Sequence, residues 1–64
     1  MIPVTKAERA ALDAYSRHGS VKGAAYALGK SPRTVKQQLQ EARNRLGVES
    51  TVQAVRAVLL EGTS

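Results

Sequence analysis

Cysteine, phenylalanine and tryptophan are absent from this 64-residue chain, and its only aromatic residues are two tyrosines. Without cysteine the chain can form no disulfide and offers no thiolate to a metal. His18 has no second histidine with which to share a metal, and the five acidic residues are too thinly spread to form a catalytic pair. We therefore expect no metal site, no cofactor and no enzymatic activity.

Long hydrophobic runs are also missing. No apolar stretch reaches the length of a signal peptide core or a membrane span, so we expect a cytoplasmic protein with no membrane association. A chain this short can bury one small core, and residues 1–64 are therefore expected to form a single domain.

Positive charge is concentrated in one segment. The net charge is +5, and the residues between Lys22 and Arg45 account for all of it. The only acid in this segment is Glu41, and its basic residues are Lys22, Lys30, Arg33, Lys36, Arg43 and Arg45. Confinement of the excess to one stretch indicates a binding site for a polyanion.

Capping signals predict the first two helices. Thr5 followed by Glu8 is a capping box, and Gly19 closes a helix expected at 5–18. Ser20 caps the second helix, expected at 20–28, which Gly29 ends. Helical spacing gives these helices inward stripes, namely Ala7, Ala11, Leu12 and Tyr15 in the first and Val21, Ala24, Ala25 and Leu28 in the second.

The third helix is predicted at 31–46. Ser31 followed by Pro32 is a start signal, because the hydroxyl caps free amides and proline at the first helical position loses no hydrogen bond. Gly47 closes the helix. One narrow buried stripe is expected from Val35, Leu39, Ala42 and Leu46.

The last helix, expected at 51–61, has more apolar surface than one inward stripe needs. We assign the inward stripe to Val52, Val55 and Leu59. The remaining apolar residues are then left toward solvent, where a second copy would cover them in a weak homodimer. This predicted dimer interface consists of Ala54, Ala57 and Val58.

The second and third helices together indicate a helix-turn-helix. They are separated by the short step Gly29-Lys30, and the small Ala24 and Ala25 permit close packing. Opposite its buried stripe, the third helix presents a row of hydrogen-bond donors without an acid: Arg33, Lys36, Gln37, Gln40 and Asn44. Such a face suits the base edges of the major groove. We therefore expect a nucleoid-associated protein that binds double-stranded DNA, with phosphate contacts from Lys22, Arg33 and Arg43.

Residues 4–59 resemble the LuxR-type (GerE-like) helix-turn-helix domain. The resemblance is densest from Leu28 to Lys36 and continues through Leu39 and Leu46-Gly47-Val48. It implies an all-α, four-helix domain that regulates transcription and dimerises through its last helix. It also implies base contacts by Lys36, Gln37 and Gln40, and phosphate contacts by Lys22, Ser31 and Thr34. Without a receiver or ligand-binding domain, the chain resembles either the stand-alone members of that family or a domain cut from a longer protein, and Met1 at its start favours the stand-alone form.

Two alternatives remain open at this stage. The helices could belong to an adaptor that binds RNA polymerase or another regulator, with DNA contact secondary. The segment from Thr34 to Leu46 also resembles the promoter-reading domain of sigma factors. Leu46-Gly47-Val48 and the last helix favour the LuxR type over the sigma type.

Overall fold

The computed structural model describes residues 4–61, and side chains through residue 59. The described chain is all-α, as predicted, and contains no strand. Its helices are α1 (Lys6–His18), α2 (Val21–Leu28), α3 (Pro32–Leu46) and α4 (Thr51–Val55), and α4 continues as a π-helical segment, Arg56–Glu61. No helix in the described range is both long and apolar enough to cross a membrane.

Capping residues determine where the helices begin, and three of the four, Thr5, Ser20 and Ser31, are those predicted from the sequence. Thr5, Ser20, Ser31 and Ser50 each accept a hydrogen bond from a backbone N–H in the first turn of the following helix. In the capping box, Glu8 N–H donates to Thr5 Oγ1 at 3.1 Å and Thr5 N–H donates to Glu8 Oε1 at 3.0 Å. Local sequence therefore fixes the helix boundaries, because each cap satisfies amides that the helix itself leaves unpaired.

The helices surround one small core. Helix α1 packs against α2, α3, α4 and the π-helical segment, while α3 also contacts α2 and α4. The largest fully buried side chains are Leu12, Val35, Leu39 and Val58. The stripes predicted for α2 and α3 are confirmed, but in α1 the inward position expected for Ala7 belongs to Glu8, which is 3% exposed.

The inward face of the last helix differs from the prediction. Ala54 and Val58 are fully buried in the domain's own core, whereas Val52 is 61% exposed. Val55 and Leu59 are partly buried against the core, and Ala57 is partly exposed. The assignment of Ala54 and Val58 to a dimer interface is therefore wrong, because the monomer already covers both side chains.

Two physical reasons account for this difference. The apolar residues of the last helix cover a wide arc of its surface. Such an arc is compatible with more than one inward face, so the sequence pattern alone does not decide which residues pack against the core. The small Ala54 lets α4 approach α1 and α3 closely, which favours the edge that contains it. In addition, the π-helical segment has i→i+5 hydrogen bonds, so a 3.6-residue period does not describe residues 56–61.

Candidate nucleic-acid interface

A tight turn joins α2 to α3. Gly29 has φ 68°, a left-handed conformation in which a side chain would be strained. The N–H groups of Gly29 and Lys30 donate to the carbonyls of Tyr26 and Ala25 at 3.2 and 2.9 Å, which is the Schellman pattern of helix ends. Ser31 then caps α3 directly. The buried Ala24 and Ala25 bring α2 against α3 and α1, so that α2 and α3 form a helix-turn-helix.

Helix α3 has one buried and one exposed face, as predicted. Val35, Leu39 and Ala42 are buried, and Leu46 packs against the same core. The five residues of the opposite face are all exposed, and we call them the donor face: Arg33, Lys36, Gln37, Gln40 and Asn44. The three residues predicted to read bases therefore lie together on one accessible surface of a 15-residue helix.

Two hydroxyls lie together at the start of α3. Ser31 Oγ accepts a hydrogen bond from Thr34 N–H at 3.2 Å and lies 2.9 Å from Thr34 Oγ1, and both residues are exposed. A hydrogen bond between two hydroxyls uses only one of their two hydrogens. The other hydrogen remains available to an anion at the positive end of the helix dipole.

The remaining predicted phosphate ligands do not share one environment. Lys22 on α2 and Arg33 on α3 are exposed. Arg43 instead is half-buried, and its Nη1 donates to Thr51 Oγ1 of α4 at 2.8 Å. This hydrogen bond gives Arg43 a role in packing between α3 and α4, and its phosphate contact stays a prediction.

Arg45 is also engaged within the domain. Its Nε lies 3.0 Å from Oε2 of the buried Glu8 on α1. Of the six basic residues in the charged segment, Arg43 and Arg45 thus have a side-chain partner within the described chain, and four have none: Lys22, Lys30, Arg33 and Lys36. All four belong to α2, to the turn or to the first turns of α3, which places the positive charge on the helix-turn-helix itself.

Sequence reasoning missed one exposed residue of this region. Tyr26 of α2 is 90% exposed, the largest exposure among the bulky apolar side chains in the described chain. Helical spacing could have identified it. Ala24 and Ala25 were assigned to the core, and Tyr26, which follows them, falls outside the inward stripe of α2 and is therefore expected to face solvent.

A tight turn between two packed helices, followed by a capped helix with an exposed row of hydrogen-bond donors, defines a helix-turn-helix DNA-binding domain. The family model described as bacterial regulatory helix-turn-helix protein, lysR family, matches residues 9–60. The chain belongs to this LysR family and is a DNA-binding regulator of transcription. No curated protein and no solved structure matches it.

The family match corrects the resemblance to the LuxR type. The positions that supported that resemblance include Leu28, Gly29, Leu39 and Gly47, all of which form the core or end a helix here. Any helix-turn-helix of this shape requires such residues at such spacing. These residues therefore indicate a helix-turn-helix domain but do not distinguish the LuxR type from the LysR family.

Proposed function

We propose that the protein binds specific DNA sequences by placing α3 in the major groove. Lys36, Gln37 and Gln40 contact base edges, where lysine suits guanine and glutamine suits adenine. The observation that carries this proposal is the exposed, acid-free donor face on the side of α3 opposite the core.

The proposed phosphate ligands surround this face. Lys22 lies on α2, Arg33 in the first turn of α3, and the hydroxyls of Ser31 and Thr34 at the start of α3. Contacts to phosphate fix the position of the domain on the duplex and do not depend on base sequence. The two sets of residues therefore have separable effects on affinity and on specificity.

Selection from random-sequence duplexes, followed by titration at several salt concentrations, tests this proposal. We expect an enriched motif and, for a dimer with three to four basic contacts per protomer, a log–log salt slope of about −5 to −7. Binding without an enriched motif would contradict base reading by α3. Failure to bind any duplex at low salt would contradict the proposal as a whole.

We further propose that two copies bind together, with α4 of one against α4 of the other. Val52 is the support for this arrangement, because it is a branched apolar side chain that the monomer leaves 61% exposed. A two-fold pair would set two α3 helices about 34 Å apart, one turn of DNA. Since one small module makes few base contacts, pairing also raises affinity.

Two substitutions of opposite charge test the pairing. Val52→Glu and Val52→Lys both place like charges at the proposed contact, yet they change electrostatic attraction to DNA in opposite directions. We expect both variants to lose cooperative occupancy of a duplex with two half-sites. If only the glutamate variant weakens binding, the effect is electrostatic and α4 is not the contact.

A further inference from the structure

Tyr26 has an unusual environment for an aromatic residue in so small a domain. It is 90% exposed, whereas Tyr15, the other tyrosine, is partly buried against the core. Its neighbours Ala24 and Ala25 are buried, so Tyr26 lies on the outer side of α2. The fold therefore does not use this ring for its own stability.

The charge around Tyr26 indicates what kind of surface would cover it. Lys22 lies one helical turn earlier on the same side of α2, and Lys30 lies two residues beyond the end of the helix. Helix α2 contains no acidic residue. This combination of an aromatic ring with positive charge on both sides is complementary to a polyanion.

The turn after α2 places Tyr26 close to the start of α3. The Tyr26 carbonyl accepts the Gly29 N–H, and Lys30 N–H reaches back to Ala25 at 2.9 Å, so the chain folds tightly beneath the last turn of α2. The hydroxyl pair of Ser31 and Thr34 follows immediately. The backbone of Tyr26 thus forms part of the turn that leads into the surface to which we assign phosphate contacts.

We propose that Tyr26 is a further DNA contact, in which its phenol O–H donates a hydrogen bond to a phosphate of the strand that Lys22 binds. Side chains at i and i+4 are about 5–6 Å apart on a helix, a separation that lets Lys22 and Tyr26 reach neighbouring phosphates of one strand. Tyrosine is among the side chains that donate to phosphate oxygens. The inference rests on the proposed DNA binding and extends the contact surface along α2.

Removal of the single hydroxyl group tests this contact. Tyr26→Phe should lower affinity roughly 3- to 10-fold, equally for selected and unrelated duplexes, because a phosphate contact carries no sequence information. The salt slope should stay unchanged, since the substitution removes no charge. Tyr15→Phe is the matched control and should leave DNA binding unchanged.

The environment of the ring provides a second measurement. With only two tyrosines in the chain, ring-labelled tyrosine gives two sets of NMR signals that the Phe variants assign. On addition of an unrelated duplex, the Tyr26 signals should shift, while Tyr15 serves as the internal reference.

The possible outcomes separate this inference from the proposed function. If the protein binds DNA but Tyr26→Phe binds equally well and the Tyr26 signals do not move, the contact is overturned while DNA binding stands. Signals that shift with protein concentration and not with DNA would instead identify Tyr26 as a protein-binding residue and overturn the inference. If no duplex binds at low salt, both proposals fail.

Discussion

Glu8 of α1 and Arg45 of α3, 37 positions apart in sequence, form an ion pair in which Arg45 Nε lies 3.0 Å from Glu8 Oε2. The other carboxylate oxygen, Oε1, accepts the Thr5 N–H at 3.0 Å. One buried carboxylate therefore caps the beginning of α1 and holds the last turn of α3. Since the donor face lies on α3, this pair contributes to the orientation in which α3 is presented.

Arg45→Ala is expected to destabilise the domain by about 1–2 kcal/mol, because it leaves the Glu8 carboxylate buried with one hydrogen-bond partner fewer. Urea titration followed by circular dichroism measures this change. Arg17→Ala is the matched control: its pair with Asp13 lies within one exposed helix at 3.1 Å and should contribute less than about 0.5 kcal/mol. Equal losses in the two variants would show that burial of Glu8 does not strengthen the pair.

Val58→Ala should remove about 2 kcal/mol of stability, since the side chain is fully buried and its loss leaves a cavity. The same substitution at Val52, on the same helix but 61% exposed, should change stability by less than about 0.5 kcal/mol. Thermal unfolding of both variants, at a protein concentration where the chain is monomeric, makes the comparison. A larger loss of stability for Val52→Ala than for Val58→Ala would instead support the inward stripe expected from sequence, which contains Val52.

Gln37→Ala and Gln40→Ala should each remove about 1–3 kcal/mol of the binding free energy that discriminates among bases at one base pair of the selected motif. Folding should stay unchanged. Gln38→Ala is the control, because Gln38 is only partly exposed and its Oε1 is buried without a hydrogen-bond partner in the described chain. That variant should retain the motif. Repeated selection with each variant shows which side chain reads which base, and an unchanged motif for both Gln37 and Gln40 would exclude them as readers.

Arg33→Gln should reduce the magnitude of the salt slope by about 2 in a dimer, one phosphate contact for each protomer. Arg43→Gln removes the same charge ten residues further along α3. We expect this second variant to keep the slope and to lose stability instead, because its guanidinium donates to Thr51 Oγ1. Titration over a range of salt concentrations distinguishes the two variants. A similar fall in slope for both would show that Arg43 also contacts a phosphate.

The sequence predicted the helix boundaries well because the signals that set them are local. Ser31 with Pro32, and Gly29 after Leu28, act through hydrogen bonds and dihedral angles within a few residues. The donor face followed from the same information, since a single narrow apolar stripe in α3 leaves no choice about which side is exposed.

The parts that sequence could not predict depend on contacts between distant residues. In α4 the wide apolar arc allowed two inward faces, and only its packing against α1 and α3 selects the one with Ala54 and Val58. The roles of Arg43 and Arg45 depend on Thr51 and Glu8, which lie on other helices. A charge count treats all basic residues alike and does not show which of them also have a partner within the domain.

Six of the ten buried apolar residues in the described chain are alanines, and this composition determines how the domain responds to temperature. Exposure of apolar surface is what raises the heat capacity on unfolding, so a core of short side chains gives a small heat-capacity change and a broad, shallow curve of free energy against temperature. The unfolding entropy of so short a chain is small as well, and a loss of 1 kcal/mol lowers Tm by roughly 4–8 °C. Loss of a single methyl group from this core, worth about 1 kcal/mol, is therefore expected to lower Tm by several degrees.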